Sequence, residues 1–244
     1  MPCPSSRRHA ALTRALPLRP DSRFRSTIRV LIACSAFAVT GALGQWHRVE
    51  RAISPAEIVR TWTFVNRSAV VVEDGVSPHL RLDERPGGGL AWTSAIAFTD
   101  GDLTLELRGR DLQQQSFLGI AFHVAADSTF DVVWLRPFNF RAVEPARRLR
   151  AVQFASYPRY SWQRLREDHP GQFEAGVPAD VDPDGWVRLR IEVRGALVRV
   201  YLGDAATPLL SVTSPAGRTT GGIGLWVGDR SPGDFRQLRV RPVE

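Results

Sequence analysis

His123, Trp134 and Arg136 are the residues of this 244-residue chain best suited by type and spacing to grip a small polar ligand. They fall in one stretch, 117–141, which reads FLGIAFHVAADSTFDVVWLRPFNFR. An indole can stack on the apolar face of a ring, while a guanidinium and an imidazole hydrogen-bond hydroxyls or a carboxylate. That combination suits a sugar. Asn139 and Arg141 close the stretch and join the candidate ligand contacts.

A second group follows at Tyr157, Tyr160 and Trp162, three aromatics in six residues, with Arg166 just beyond. Arg141, Arg147, Arg148, Arg159, Arg164 and Arg166 make this region basic, which favours an acidic sugar or another anion. Scattered arginine also serves simply as solvated surface. Catalytic candidates are few. His123 and Glu167 stand as general acid/base by default, since Glu167-Asp168 is cut off from Glu174 by Pro170-Gly171. Asp127, Asp131 and Asp229 could supply oxygens to Ca²⁺, although no contiguous carboxylate loop is present. No cofactor is otherwise implied, and no G-x-S-x-G, H-E-x-x-H, G-x-G-x-x-G or P-loop occurs.

These side chains need strands to hold them. Period-two alternation dominates: Leu103, Leu105 and Leu107; Val187, Leu189, Ile191 and Val193; Val198, Val200 and Leu202. Further strands are expected at 59–65, 69–73, 79–82, 90–98, 151–156, 209–213, 222–227 and 235–240. Asp127-Ser128-Thr129, Asp184-Gly185 and Arg194-Gly195 mark turns between them. Helix is scarce, with one turn expected at 55–60. About twelve short strands predict an all-β, two-sheet antiparallel sandwich or jelly roll. Alternation in 117–124 sends Leu118, Ile120, Phe122 and Val124 to the core and Gly119, Ala121 and His123 outward. In the partner strand Val133 and Leu135 go inward, and Trp134 and Arg136 outward. Trp186 and Trp226 read as core. The one long excursion, 137–183, is where a site is expected.

Composition sets the compartment and excludes some partners. Residues 1–44 hold seven Arg and one Asp, and an apolar run, VLIACSAFAVTGAL at 30–43, follows Arg29. That run is shorter than the roughly 20 residues a membrane span needs, so 1–44 reads as a signal peptide, with a retained signal anchor as the alternative. Secretion or a periplasmic location follows, and any membrane contact would run through an uncleaved leader. Removing seven Arg and one acid from totals of 32 and 25 leaves 25 Arg against 24 acids, or +1, for 45–244. This remainder is nearly neutral, so nucleic acid is not an expected partner. Both cysteines, Cys3 and Cys34, lie in the leader, so the single domain at 45–244 must stand on its core alone. Its oligomeric state is open.

Three blocks carry a family resemblance: Phe117–His123, Phe130–Pro137 and Gly222–Gly228, with Gly233-Asp234-Phe235 closing the chain. Over roughly 60–242 the chain resembles the concanavalin A-like lectin/glucanase superfamily. Within it, the chain is most similar to laminin G-like jelly rolls and the bacterial 3-keto-disaccharide hydrolase-type domain. The E-x-D-x-x-E strand of the laminarinase-type glucanases is missing, so the two-carboxylate glycosidase mechanism has no sequence support. The resemblance implies an exported jelly roll that binds a carbohydrate or glycoside. The alternatives are a hydrolase acting on a glycoside or keto sugar, and a protein-interaction module of the cell envelope.

Overall fold

The computed structural model describes residues 50–74 and 77–243. The expected leader at 1–44, with both cysteines, lies outside them. Among the described residues fifteen strands run in chain order. The first eight are β1 (Arg51–Ile53), β2 (Thr63–Val65), β3 (Ala69–Val72), β4 (His79–Leu82), β5 (Gly89–Phe98), β6 (Asp100–Arg108), β7 (Leu118–Ala126) and β8 (Thr129–Leu135). Then come β9 (Val152–Tyr157), β10 (Glu174–Ala175), β11 (Val187–Arg194), β12 (Leu197–Leu202), β13 (Leu210–Thr213), β14 (Gly221–Val227) and β15 (Gly233–Val243). One sheet has the order β13-β12-β11-β6-β15-β4-β3, with β1 also on β15, and the other β10-β9-β8-β7-β14-β5-β2. All pairings are antiparallel, and the two sheets form the sandwich that the alternation predicts.

Register explains the core. Leu105 pairs with Leu189 and that in turn with Leu202, while Leu103 pairs with Ile191 and that with Val200. On the facing sheet Leu225, Ile120, Val133 and Phe154 form one cross-strand row. These residues, apart from the partly exposed Leu202, are buried, so each sheet turns its apolar parity inward. One expected strand is cut short: Val59–Thr61 belong to α1 (Pro55–Thr61), and only Thr63–Val65 extend. Ser54 caps that helix by accepting from the Glu57 N–H, and Pro55 enters at its first turn, a combination that favours helix over strand.

The excursion 137–183 is less bare than expected. It carries a 3₁₀ turn at Pro137–Asn139, then α2 (Pro145–Arg148), β9, α3 (Trp162–Asp168) and β10. Ser161 caps α3. The excursion therefore folds onto the β8 edge of the seven-stranded sheet and extends that sheet by two strands.

Candidate functional site

A single cross-strand row organises the outer face of the seven-stranded sheet: Val65, Leu90, Trp226, Gly119, Trp134, Gln153 and Glu174. Gly119 sits between the two tryptophans. A Cβ built there would lie 2.5 Å from Trp134 Cα and closer still to Val133 O. Without a side chain at this position, the two indoles meet across it, with ring centroids 5.1 Å apart and planes at 45°.

A cleft of about 930 Å³ opens over this row. Its walls include Phe117, Phe130, Phe138, Tyr157, Trp162 and Trp226, with Gln113, Gln114 and Gln115 from the loop after β6. Trp134 lines it but is only 1% exposed. That burial makes Trp134 a floor rather than a protruding platform. Its Nε1 has no hydrogen-bond partner among the described residues.

One end of the cleft is arginine-rich. Arg136 is 5% exposed and donates from Nη1 to Arg150 O at 3.0 Å and from Nη2 to Gln153 Oε1 at 3.2 Å. Its guanidinium lies 5.3 Å from the Trp134 ring and 5.8 Å from those of Phe117 and Trp162. Burial lowers its pKa to about 10, against the opposing pull of Glu174. Arg166 grips Glu174 through both carboxylate oxygens, its Nε reaching Oε2 at 3.1 Å, and stacks on Trp162 at 4.6 Å. Arg136 and Arg150 approach the same carboxylate at 3.8 and 3.9 Å. Burial pushes the Tyr157 phenol up to about 12, so it keeps its proton at neutral pH and can donate.

Of the nine expected ligand contacts, Trp134, Arg136, Asn139, Tyr157, Trp162 and Arg166 line this cleft. Tyr160, Arg141 and His123 do not. Arg141 is exposed and reaches Asp180 O at 3.5 Å, and Tyr160 is half-buried beside Arg159 and Arg164. His123 requires a correction. A β-bulge between Phe122 and Ala126 puts His123 at φ 49° and turns its ring inward, against Phe98 and Phe122. Its Nδ1 lies 3.0 Å from Asp131 Oδ2, and its Nε2 lies 2.9 Å from Thr99 O. A carbonyl only accepts, so Nε2 carries a proton. At 1% exposure His123 is a buried structural group, not a candidate acid/base in the cleft. Glu167, the other default, is exposed on α3 and also outside the cleft.

The calcium trio separates as well. Asp131 is fully buried and accepts from Ser156 Oγ and from Arg218 Nη2, while Asp127 and Asp229 line the cleft. Among the described residues no three acidic, His or Cys side chains converge to hold a metal.

Sequence reasoning missed Trp226, Gln153 and Glu174. Parity could have found Trp226, since Ile223, Leu225 and Val227 are buried and Trp226 alternates with them. Trp186 likewise is not core. It is half-buried on the other sheet between Arg108 at 4.7 Å and Arg236 at 4.1 Å.

The model of the 3-keto-alpha-glucoside-1,2-lyase-like domain matches residues 41–241. The chain belongs to that family. This 3-keto-alpha-glucoside-1,2-lyase-like domain has no match among curated proteins. Among solved structures it is similar to the carbohydrate-binding module CBM66 from Bacillus subtilis, with a TM-score of 0.53 and 15% identity over 72% of this chain and 92% of that one. A native glycosidic hydrolase gives a TM-score of 0.53 and 12% identity over 81% and 97%. The exoplasmic/lumenal domain of VIP36, in its Ca²⁺/Man3GlcNAc-bound form, gives 0.51 and 16% over 79% and 88%. At these identities the likeness establishes the jelly-roll fold and leaves the site to its own chemistry.

Proposed function

We propose that this domain binds a carbohydrate in the cleft over the seven-stranded sheet. The observation that carries the reading is the juxtaposition of Trp134, Trp226, Trp162 and Tyr157 with Arg136 in one cavity of about 930 Å³. A sugar presents apolar C–H faces and a rim of hydroxyls. The aromatic walls match the first, and guanidinium, phenol and the Asn139 amide match the second. The family match and the carbohydrate named in the VIP36 structure support the same class.

The test is an array of oligosaccharides and polysaccharides, with calcium and with chelator, followed by titration of each hit. Trp162→Ala is the informative variant, because Trp162 is half-buried at the start of α3, whereas Trp134→Ala would excavate a buried site. Trp162→Ala should weaken binding about tenfold with an unchanged melting curve, in the range of a central aromatic contact. An array silent under both conditions, or unchanged affinity in this variant, would overturn the reading.

The family supports a second reading, elimination on a 3-keto-α-glucoside. A ketone at C3 acidifies the C2 hydrogen, so one group must remove that proton and another must protonate the departing glycosidic oxygen. Asp127 and Asp229 are the carboxylates lining the cleft, and Tyr157 is its proton-holding phenol. Release of the aglycone from a 3-keto-glucoside, lost in Asp229→Asn or in Asp127→Asn, would support it. Absence of turnover in the unaltered protein would dismiss it.

A further inference from the structure

We infer that the arginine end of the cleft receives an anionic group carried by the sugar, a carboxylate or a sulfate. This deepens the sugar-binding reading and rests on it.

The charge balance at that end is the first argument. Arg136, Arg147, Arg150 and Arg166 all line the cleft there. The carboxylates among them are Glu174, held by Arg166, and Glu144, 3.3 Å from Arg147 Nη1. Four cations thus meet two anions. Comparable clusters on the opposite sheet, such as Arg81 and Arg108 around Asp234 or Arg194 and Arg241 around Asp102, set two guanidinium side chains, 29–46% exposed, on one carboxylate. Around Glu174 three guanidinium groups approach one carboxylate: the Arg136 side chain is 6% exposed, that of Arg166 25% and that of Arg150 41%. Arg136, the buried member, thus shares its counter-charge with two further cations, and an added anion would offset that crowding.

The second argument is donor availability. Arg150 has a side chain 41% exposed, faces the cleft and, among the described residues, makes no side-chain hydrogen bond and only one ion pair, to Glu174, long at 3.9 Å. Its donors therefore remain open beside a carboxylate already claimed by Arg166. A planar guanidinium with free N–H groups suits carboxylate or sulfate oxygens. Trp162 stands within the same cluster, 4.6 Å from Arg166 and 5.8 Å from Arg136, ready to stack on the ring that bears the anion.

The test titrates the full chain calorimetrically with four probe sets. These are oligosaccharides ending in glucuronate or galacturonate, their methyl esters, sulfated oligosaccharides, and neutral counterparts. An acidic probe should bind at least about tenfold tighter than its neutral form, the scale of one charge-assisted hydrogen bond in a partly exposed setting. That advantage should shrink as salt rises. Arg150→Gln should erase the preference, bringing acidic and neutral probes to the same affinity, and Arg150→Lys should keep part of it. Uronate and sulfate arms separate the two sources, and preference for either supports the inference. Equal binding of acids and neutral forms, or full acid preference in Arg150→Gln, overturns it while sparing the sugar reading. Failure of every probe set overturns both.

Discussion

Replacing Gly119 by Ala tests the link between fold and site at its tightest point. Gly119 lies mid-strand in β7, paired with Trp134 on one side and Trp226 on the other. Local propensity alone favours the substitution, since Gly inside a strand or helix costs about 0.5–1 kcal/mol relative to Ala. Sterics oppose it. The added methyl would fall 2.5 Å from Trp134 Cα and closer to Val133 O, both backbone atoms that cannot swing away. Relief requires β7 and β8 to separate in the middle of the sheet. Overpacking costs about 1–3 kcal/mol, and a rigid obstacle puts this case near 3. In a domain of this size that corresponds to a fall in Tm of about 6–12 °C. Thermal unfolding followed by circular dichroism reads the stability. Near-ultraviolet dichroism reads the Trp134–Trp226 pair, whose coupling should diminish as 5.1 Å lengthens. Sugar affinity should fall with it. A variant melting within about 2 °C of the parent, or above it, with an unchanged aromatic signal would refute the reasoning.

Asp131→Asn should cost about 3 kcal/mol in urea unfolding, because it leaves Arg218 and His123 facing a neutral amide in a buried setting. Since Asp131 lies outside the cleft, sugar affinity of the folded variant should not change. Asp102 offers a pH test. Burial pushes its pKa up, but hydrogen bonds from Arg241 and Arg194 outweigh this and hold it below 3.8. A depressed carboxylate contributes stability that is fully present above its unfolded value and is lost as pH falls through the folded one. Melting temperature should therefore drop as pH falls below about 4, and Asp102→Asn should flatten that limb while lowering stability at neutral pH. Asp234, held down by Arg81 and Arg108 against the effect of burial, should retain the remaining slope.

Much of the architecture is legible in the residues because one physical rule, alternate burial along a strand, governs most of the chain. Leu103–Leu107 and Val187–Val193 announce their faces without help from the rest of the fold. The same rule placed Trp134 and Arg136 on the outer parity, where both line the cleft. It failed at His123 because a bulge inserts a residue and resets the parity. Nothing in Phe122-His123-Val124 reveals that; Gly221, whose absent Cβ leaves room for the His123 backbone, reveals it only once β14 and β7 are paired. Glu174 was beyond reach for another reason. It joins the site through a two-residue strand whose partner, Val152–Gln153, lies more than twenty positions upstream. Gln153 left a trace, as the one amide in a run of otherwise small or apolar side chains.

The site is assembled very unevenly along the chain. Trp134, Arg136, Asn139, Arg147, Arg150, Tyr157, Trp162 and Arg166, with Gln153 and Glu174 behind them, all fall between positions 134 and 174. The strands that carry Leu103, Leu105, Leu189 and Val200 lie outside that interval, whereas Val152 and Phe154 inside it belong to the core. The arginine-rich end of the cleft is therefore concentrated on one margin of the sheet, while Phe117, Trp226 and Gln113, Gln114 and Gln115 reach the cleft from elsewhere in the chain. A lineage, or an engineer, could vary the polar and aromatic residues of that margin and change what the domain reads while the leucine-lined sheet stays untouched.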